Sequence, residues 1–286
     1  MSSRLKKTII IIASVMVLAF AISGIVLYAT GGISAVAATA SQIQTSRVFE
    51  SSKINKVVIN TVNTNINLIP ASDNKISIDF YGNITSNIAK GLPELSAYEK
   101  DGTLNISVIY PRTIIIGLIN LSSLYLDIYV PDNYPGEINI ETVSGGTEVK
   151  DFSTGGFYYK SISGEFSAKG FYAENMQLES TSGRINLEDS WGRVNASSVS
   201  GAIDLKITEL ANDINIKTVS GAVKVKIPAA SQFNFDIGSI SGEIYNDFSA
   251  RINHADGRNF EGSVGQGASK LTISTTSGNI KIMKGE

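Results

Sequence analysis

Few residues in this chain could do chemistry. Among 286 residues there is no cysteine and a single histidine, His254. Without cysteine there is no thiolate nucleophile, zinc–thiolate centre or disulfide. One histidine leaves little for a proton relay or a His-rich metal site. His254 lies in a polar stretch, and no serine stands apart as its nucleophile, so it reads as a solvated side chain. Gly262-Ser-Val-Gly-Gln-Gly267 spaces its glycines like a phosphate loop, but Ala268-Ser269 follows where Lys-Ser/Thr is required. Gly238-Ser-Ile-Ser-Gly242 sets its second serine one position late for a nucleophile elbow. The acids form no calcium-loop pattern. These absences predict no catalytic residue, no metal and no cofactor.

What does recur is Ser-Gly. It stands at Ser144-Gly145, Ser163-Gly164, Ser182-Gly183, Ser200-Gly201, Ser220-Gly221, Ser241-Gly242 and Ser277-Gly278, at spacings of 19, 19, 18, 20, 21 and 36. The surrounding phrase repeats as well: INIETVSGGTEV, FYYKSISGEFSA, MQLESTSGRINL, VNASSVSGAIDL, INIKTVSGAVKV, FDIGSISGEIYN and LTISTTSGNIKI. A fixed period of this size marks a repeat architecture.

Each half of the phrase alternates with period two, which predicts a strand with one buried face. Ile214 and Ile216 have even numbers, Val223 and Val225 odd, so the buried face slips by one residue at the corner between them. Glycine suits that corner because it accepts φ > 0 and lets another backbone pass close by. Ser and Thr can bond backbone groups that the bend leaves unpaired. The β-branched residues before serine (Val143, Ile162, Val199, Val219, Ile240) share parity with the second strand and are expected inside.

Two strands and two turns in about 19 residues match one rung of a β-solenoid. The predicted fold is therefore all-β, a single-stranded β-helix-like solenoid over residues 137–286. The alternative is an antiparallel meander, with 185–187 and 194–196 as one hairpin. The solenoid is preferred because the whole phrase recurs in one orientation. Residues 47–136 hold five of the six prolines and read as an irregular β capping region, with Asn63-Thr64 as a degenerate corner. Residues 254–270 are expected to be a surface loop replacing one corner. The last repeat ends close to Glu286, which would leave a strand edge free and make end-to-end self-association possible.

At the amino terminus, Ile9 to Tyr28 is a 20-residue run without a charge, long enough as a helix to cross a bilayer. The division expected is a basic cytoplasmic segment at 1–8, a transmembrane signal anchor at 9–30 and a linker at 31–46. Cleavage after Ala38-Thr39-Ala40 is the other reading, but the apolar run is long for a signal peptide. Arg4, Lys6 and Lys7 precede the run and no basic residue follows until Arg47, which keeps the amino terminus inside and predicts a single-pass cell-membrane protein with its body outside. That body carries 21 basic and 26 acidic residues, so nucleic acid is not expected as a partner. A second apolar run, Ile114, Ile115, Ile116, Gly117, Leu118, Ile119, Asn120, Leu121, is too short to span a membrane. It reads as a buried strand or capping flap, or else as an exposed patch for a partner. Outward positions of the repeat (Asn139, Tyr158, Gln177, Asn195, Asn215) show no acidic or basic ladder.

The T-V-S-G-x-[IV]-x-[IV] phrase, with the closing GQGASKLTISTTSGNIKI, resembles the bacterial putative-adhesin family, a domain of unknown function with a toastrack-type β-repeat fold. A membrane helix before such a domain is similar to the LiaG-like membrane-anchored members found in Gram-positive envelope-stress systems. The resemblance implies a non-catalytic envelope protein and carries over no catalytic residue. Its partner would be an envelope protein or a cell-wall glycan. A polysaccharide-active β-helix enzyme and a self-assembling structural solenoid are the competing readings. A cluster of charged residues on one outer face would favour the enzyme.

Overall fold

A computed structural model of the chain describes residues 39–86, 92–110, 119–120 and 124–285. The expected membrane helix and the basic segment before it lie outside these residues, as do Ile114, Ile115, Ile116 and Leu118. Ile119 falls in the short strand Ile119–Asn120, paired with residues 85–86. Among the described residues no helix is long and apolar enough to cross a membrane.

The described residues form 23 strands and one 3-10 turn. In every repeat the first half of the phrase enters a Ser-Gly corner and the second half leaves it. Entering strands pair with one another, leaving strands pair with one another, and the two sets make an entry sheet and an exit sheet. The entry sheet aligns Ile138, Phe157, Met176, Val194, Ile214, Leu271 and Phe235 in one column. The exit sheet aligns Phe166, Ile185, Ile203, Val223, Ile280 and Ile244. All of these pairings are parallel, which excludes the meander. Ile185–Ser198 is one 14-residue strand that crosses from exit sheet to entry sheet, not a hairpin. The apolar columns face each other between the sheets, so period-two alternation becomes one continuous core. Phe157, Tyr159, Phe166 and Phe171 fill its centre, with ring centroids 4.8 to 5.4 Å apart.

The rungs do not stack in chain order. The first rung, Lys56–Asn60 with Asn65–Ala71, lies between the later strands Thr103–Ile109 and Leu124–Pro131 on one side and Tyr134–Thr142 and Thr147–Lys150 on the other. The last rung, Lys270–Thr275 with Ile280–Gly285, inserts between Ile214–Thr218 and Val223–Pro228 below and Phe233–Ser239 and Ile244–Asn246 above. Both terminal rungs are therefore clamped on two sides. This corrects the expectation of a free edge at the last repeat.

Three further boundaries change. The linker expected at 31–46 contains part of Thr39–Glu50, a 12-residue strand antiparallel to Lys75–Ser86 at the edge of the exit sheet. Much of the region read as irregular capping is regular parallel rung, from which Thr39–Glu50, Lys75–Ser86, Glu94–Lys100 and the short Ile119–Asn120 depart as antiparallel additions. Of the segment expected as a surface loop, 254–270, only 257–258 and 265–269 are turn or irregular. Arg251–Asp256 and Asn259–Val264 form an antiparallel hairpin on Phe233–Ser239. The polar residues belong to a strand exposed along its whole length, which carries no buried alternation to read.

Candidate functional site

The corners are the first place where the repeat assembles a site. All seven glycines are buried and all seven serines exposed. A Cβ on Gly164, Gly183, Gly201, Gly221, Gly278 or Gly242 would strike the carbonyl oxygen of the glycine one rung below, and on Gly145 that of Thr64. None of the seven has positive φ. Close backbone approach, and not left-handed geometry, is what demands glycine here. Thr64 below Gly145 confirms Asn63-Thr64 as the degenerate corner. Beside this column, serine amides at 144, 163, 182, 200, 220 and 277 each donate to a carbonyl of the neighbouring rung at 2.8 Å.

The slip in buried parity occurs elsewhere than the alternation suggests. Thr218 is buried, Val219 and Ser220 are exposed, and Gly221 is buried again. The two-residue bulge is thus the valine–serine pair itself. Val143, Ile162, Val199, Val219 and Ile240 point out to solvent, Ile240 with 77% exposure, contrary to the inside placement expected for them. The residue buried in their stead is the Ser or Thr three positions before glycine. Ser161 Oγ accepts from the Gly164 amide at 2.7 Å, Ser239 from Gly242 at 2.7 Å and Thr275 from Gly278 at 2.9 Å. The Tyr159 hydroxyl donates to the Gly164 carbonyl at 3.0 Å, and burial pushes its pKa up. The Ser180 and Ser198 hydroxyls, in the equivalent buried positions, have no hydrogen-bond partner among the described residues, while the exposed Ser144 and Ser241 hydroxyls donate to the carbonyls of Val62 and Thr276 at 3.2 Å.

The outer face of the exit sheet carries the groups that could meet a ligand. One row across it runs Ser46, Asp79, Asp127, Asn67, Glu148, Ser167, Asn186, Asp204, Lys224, Lys281. At the amino-terminal end Tyr81 and Tyr125 stack with centroids 5.5 Å apart. Asp127 accepts from Asn67 Nδ2 at 2.6 Å and from the Tyr81 hydroxyl at 3.1 Å, and Asp79 accepts from Ser46 at 2.6 Å. Partial burial and then the Asp127 carboxylate hold the Tyr81 phenol above its usual pKa, and Tyr129 is raised by burial with Asp127 and Asp79. These phenols stay neutral donors at ordinary pH.

At the other end the face becomes cationic. A second row reads Lys150, Lys169, Glu188, Lys206, Lys226. The entry sheet's outer column is different: Asn139, Tyr158, Gln177, Asn195 and Asn215 sit in register, nearly free of charge. The absence of a charged ladder therefore holds for that column only, since the next outward column of the same sheet reads Glu141, Lys160, Glu179, Ser197, Lys217. The exit sheet's ladder was visible in the repeat endings TEVK, FSAK, INLE, IDLK and VKVK, where the fourth position is almost always charged. Among the described residues no group of three or more His, Asp or Glu is arranged to hold a metal.

A parallel two-sheet β-repeat with interlocked Ser-Gly corners is the class that fold and corners define. The family comparison makes the assignment specific: Toastrack DUF4097 matches residues 54–283, and the chain belongs to that family. A search of the curated proteins finds no match. Among solved structures the chain is similar to one described as a putative adhesin from Bacteroides fragilis, with 18% identity over 85% of this chain and 98% of that one and a TM-score of 0.45. It is also similar to a putative cell adhesion protein from Clostridium sporogenes (14% identity, 86% and 100% covered, TM-score 0.39). A third is a putative lipid binding protein from Parabacteroides distasonis (16%, 85% and 97%, TM-score 0.43).

Proposed function

We propose that this chain is a single-pass, membrane-anchored envelope protein, held by residues 9–30, whose solenoid stands outside the cell as a non-catalytic binding surface. Its partner would be a cell-wall glycan or another envelope protein. The observation that carries this reading is the exit sheet's outer face, a flat, rigid row of polar and charged side chains crossing every rung. Stacked rungs hold such groups at fixed spacing, which suits an extended ligand more than a small substrate. The uncharged run at 9–28 with basic residues only before it supports the anchor. The LiaG-like resemblance supports a place in the envelope-stress response. External protease added to intact cells should digest the domain and leave a short membrane-held fragment, and purified cell-wall sacculi should co-sediment the full chain. A domain protected in intact cells would refute the reading.

One observation favours a second reading, glycan cleavage. Asp79 and Asp127 face each other across antiparallel strands beside two stacked tyrosines, and opposed carboxylates are the equipment of glycoside hydrolysis. Release of soluble sugar from sacculi by the native chain, abolished in Asp79→Asn and Asp127→Asn, would establish it. Equal release by all three chains would dismiss it.

A further inference from the structure

We propose that the cationic end of the exit sheet's outer face binds a linear phosphate polymer running across the rungs. The proposal rests on the reading of the solenoid as an exposed binding surface and names the chemistry of its ligand. Three pairs of lysines are direct cross-strand neighbours there: Lys150 with Lys169, Lys206 with Lys226, and Lys224 with Lys281. Like charges placed directly opposite one another in a sheet are destabilising. In a chain of net charge −2 this concentration of cations on one face is not a matter of composition.

Some of the repulsion is answered within the protein. Lys150 pairs with Glu148 at 2.6 Å, Lys169 with Glu188 at 3.7 Å, and Lys206 with Asp189 at 2.8 Å and Glu188 at 3.7 Å. Asp204, the register neighbour of Lys224, is engaged instead by Arg184. Among the described residues, Lys224, Lys226 and Lys281 make no ion pair. They occupy adjacent positions on two paired strands, Val223–Pro228 and Ile280–Gly285. Lys224 and Lys226, with Lys206 and Arg184, border an open depression of about 310 Å³ whose other walls include Asn186 and Asp204.

The arrangement fits a chain-like anion. The row from Lys150 to Lys226 crosses five strands, and at about 4.8 Å per strand it extends roughly 19 Å along the stack. Only Glu188 interrupts it. Phosphates of a linear polymer laid along this line would meet ammonium groups on either side of Glu188. At its Lys226 end the polymer would pass beside Lys224 and Lys281 of the adjacent row and neutralise the unpaired trio. Binding of this type releases counterions and weakens steeply with salt.

The test uses the full chain in mild detergent and three probes: long-chain inorganic polyphosphate, orthophosphate, and vesicles of phosphatidylglycerol. Saturable binding of polyphosphate, absent for orthophosphate and weaker for the vesicles, is expected. The Lys224→Gln, Lys226→Gln, Lys281→Gln triple variant should lose roughly 100-fold in affinity at low salt, at about fivefold per lysine near an anionic array. Its log–log salt slope should be shallower by about two. The corresponding triple arginine variant should bind like the parent, as should Lys217→Gln on the entry sheet. All four substituted positions are surface ones, and unchanged circular dichroism and Tm would verify the fold. No polyphosphate binding, unchanged binding by the glutamine variant, or tighter binding to vesicles or orthophosphate than to the polymer would overturn the proposal. If polymer binding fails while protease reaches the domain on intact cells, only the ligand is wrong. If lysine-dependent binding holds while the domain is protected, the exposed-surface reading falls and the anion site stands.

Discussion

The two sides of each Ser-Gly corner obey different rules, although adjacent residues build them. Inside, Gly201 lies against the carbonyl of Gly183 and its own carbonyl lies against Gly221, so its lack of a side chain is a steric necessity repeated at every level. Outside, Val199 and Ser200 face solvent, and the backbone of the serine does its bonding. Residue type is thus strictly set on the inner side and nearly free on the outer. The occurrence of Thr181 and Thr276 where other rungs have valine or isoleucine agrees with this. A repeat can look uniform for two unrelated reasons, exclusion by packing on one side and strand propensity on the other.

This contrast can be broken in graded steps. Gly201→Ala, at the middle of the column, should cost about 3 kcal/mol or more, since neither backbone can yield without disturbing the next rung. Calorimetry should show a Tm fall of roughly 6–12 °C for a chain of this size. A fall under 2 °C would mean that the column is compliant. Ser161→Ala strands the buried amide of Gly164 and should cost about 1–2 kcal/mol in urea unfolding. Tyr159→Phe removes the donor to the same glycine's carbonyl, for about 1 kcal/mol at neutral pH. It should also blunt alkaline unfolding. The folded chain holds the Tyr159 proton more tightly than the unfolded one, so this contribution is complete below a pH of about 10 and is lost as pH rises through the elevated folded value. Val199→Thr, on the outer side, should stay within about 0.5 kcal/mol of the parent by the same urea assay. A larger loss there would erase the distinction.

Much of this molecule was legible before any coordinates. The period, the direction of the strands, the parity slip and the stacked corners follow from seven copies of one phrase. The placement of valine and isoleucine did not, because parity counted from the exit strand says nothing about which side of the slip the β-branched residue joins. The Ser/Thr three residues before glycine is the better clue, since an inward hydroxyl there can accept from the glycine amide, as Ser161, Ser239 and Thr275 do. The order of the rungs was illegible for a different reason. Pairing between 214–218 and 271–275 is a choice among equivalent edges, and no local residue records it. The lysine rows are written in the leaving halves TEVK, FSAK, IDLK and VKVK, but which copies become strand neighbours depends on the stacking order, which no single phrase records.

The intercalated last rung has a bearing on how the molecule is made. From Tyr134 onward a polypeptide emerging amino end first can add levels in succession through Val223–Pro228. But 233–246, whose earlier partner is only the antiparallel strand Asn259–Val264, has no rung of its own to dock on until 270–285 arrives. The final sixteen or so residues thus act as a keystone, and a chain truncated by a premature stop would be left with an unfilled slot through which proteases could enter.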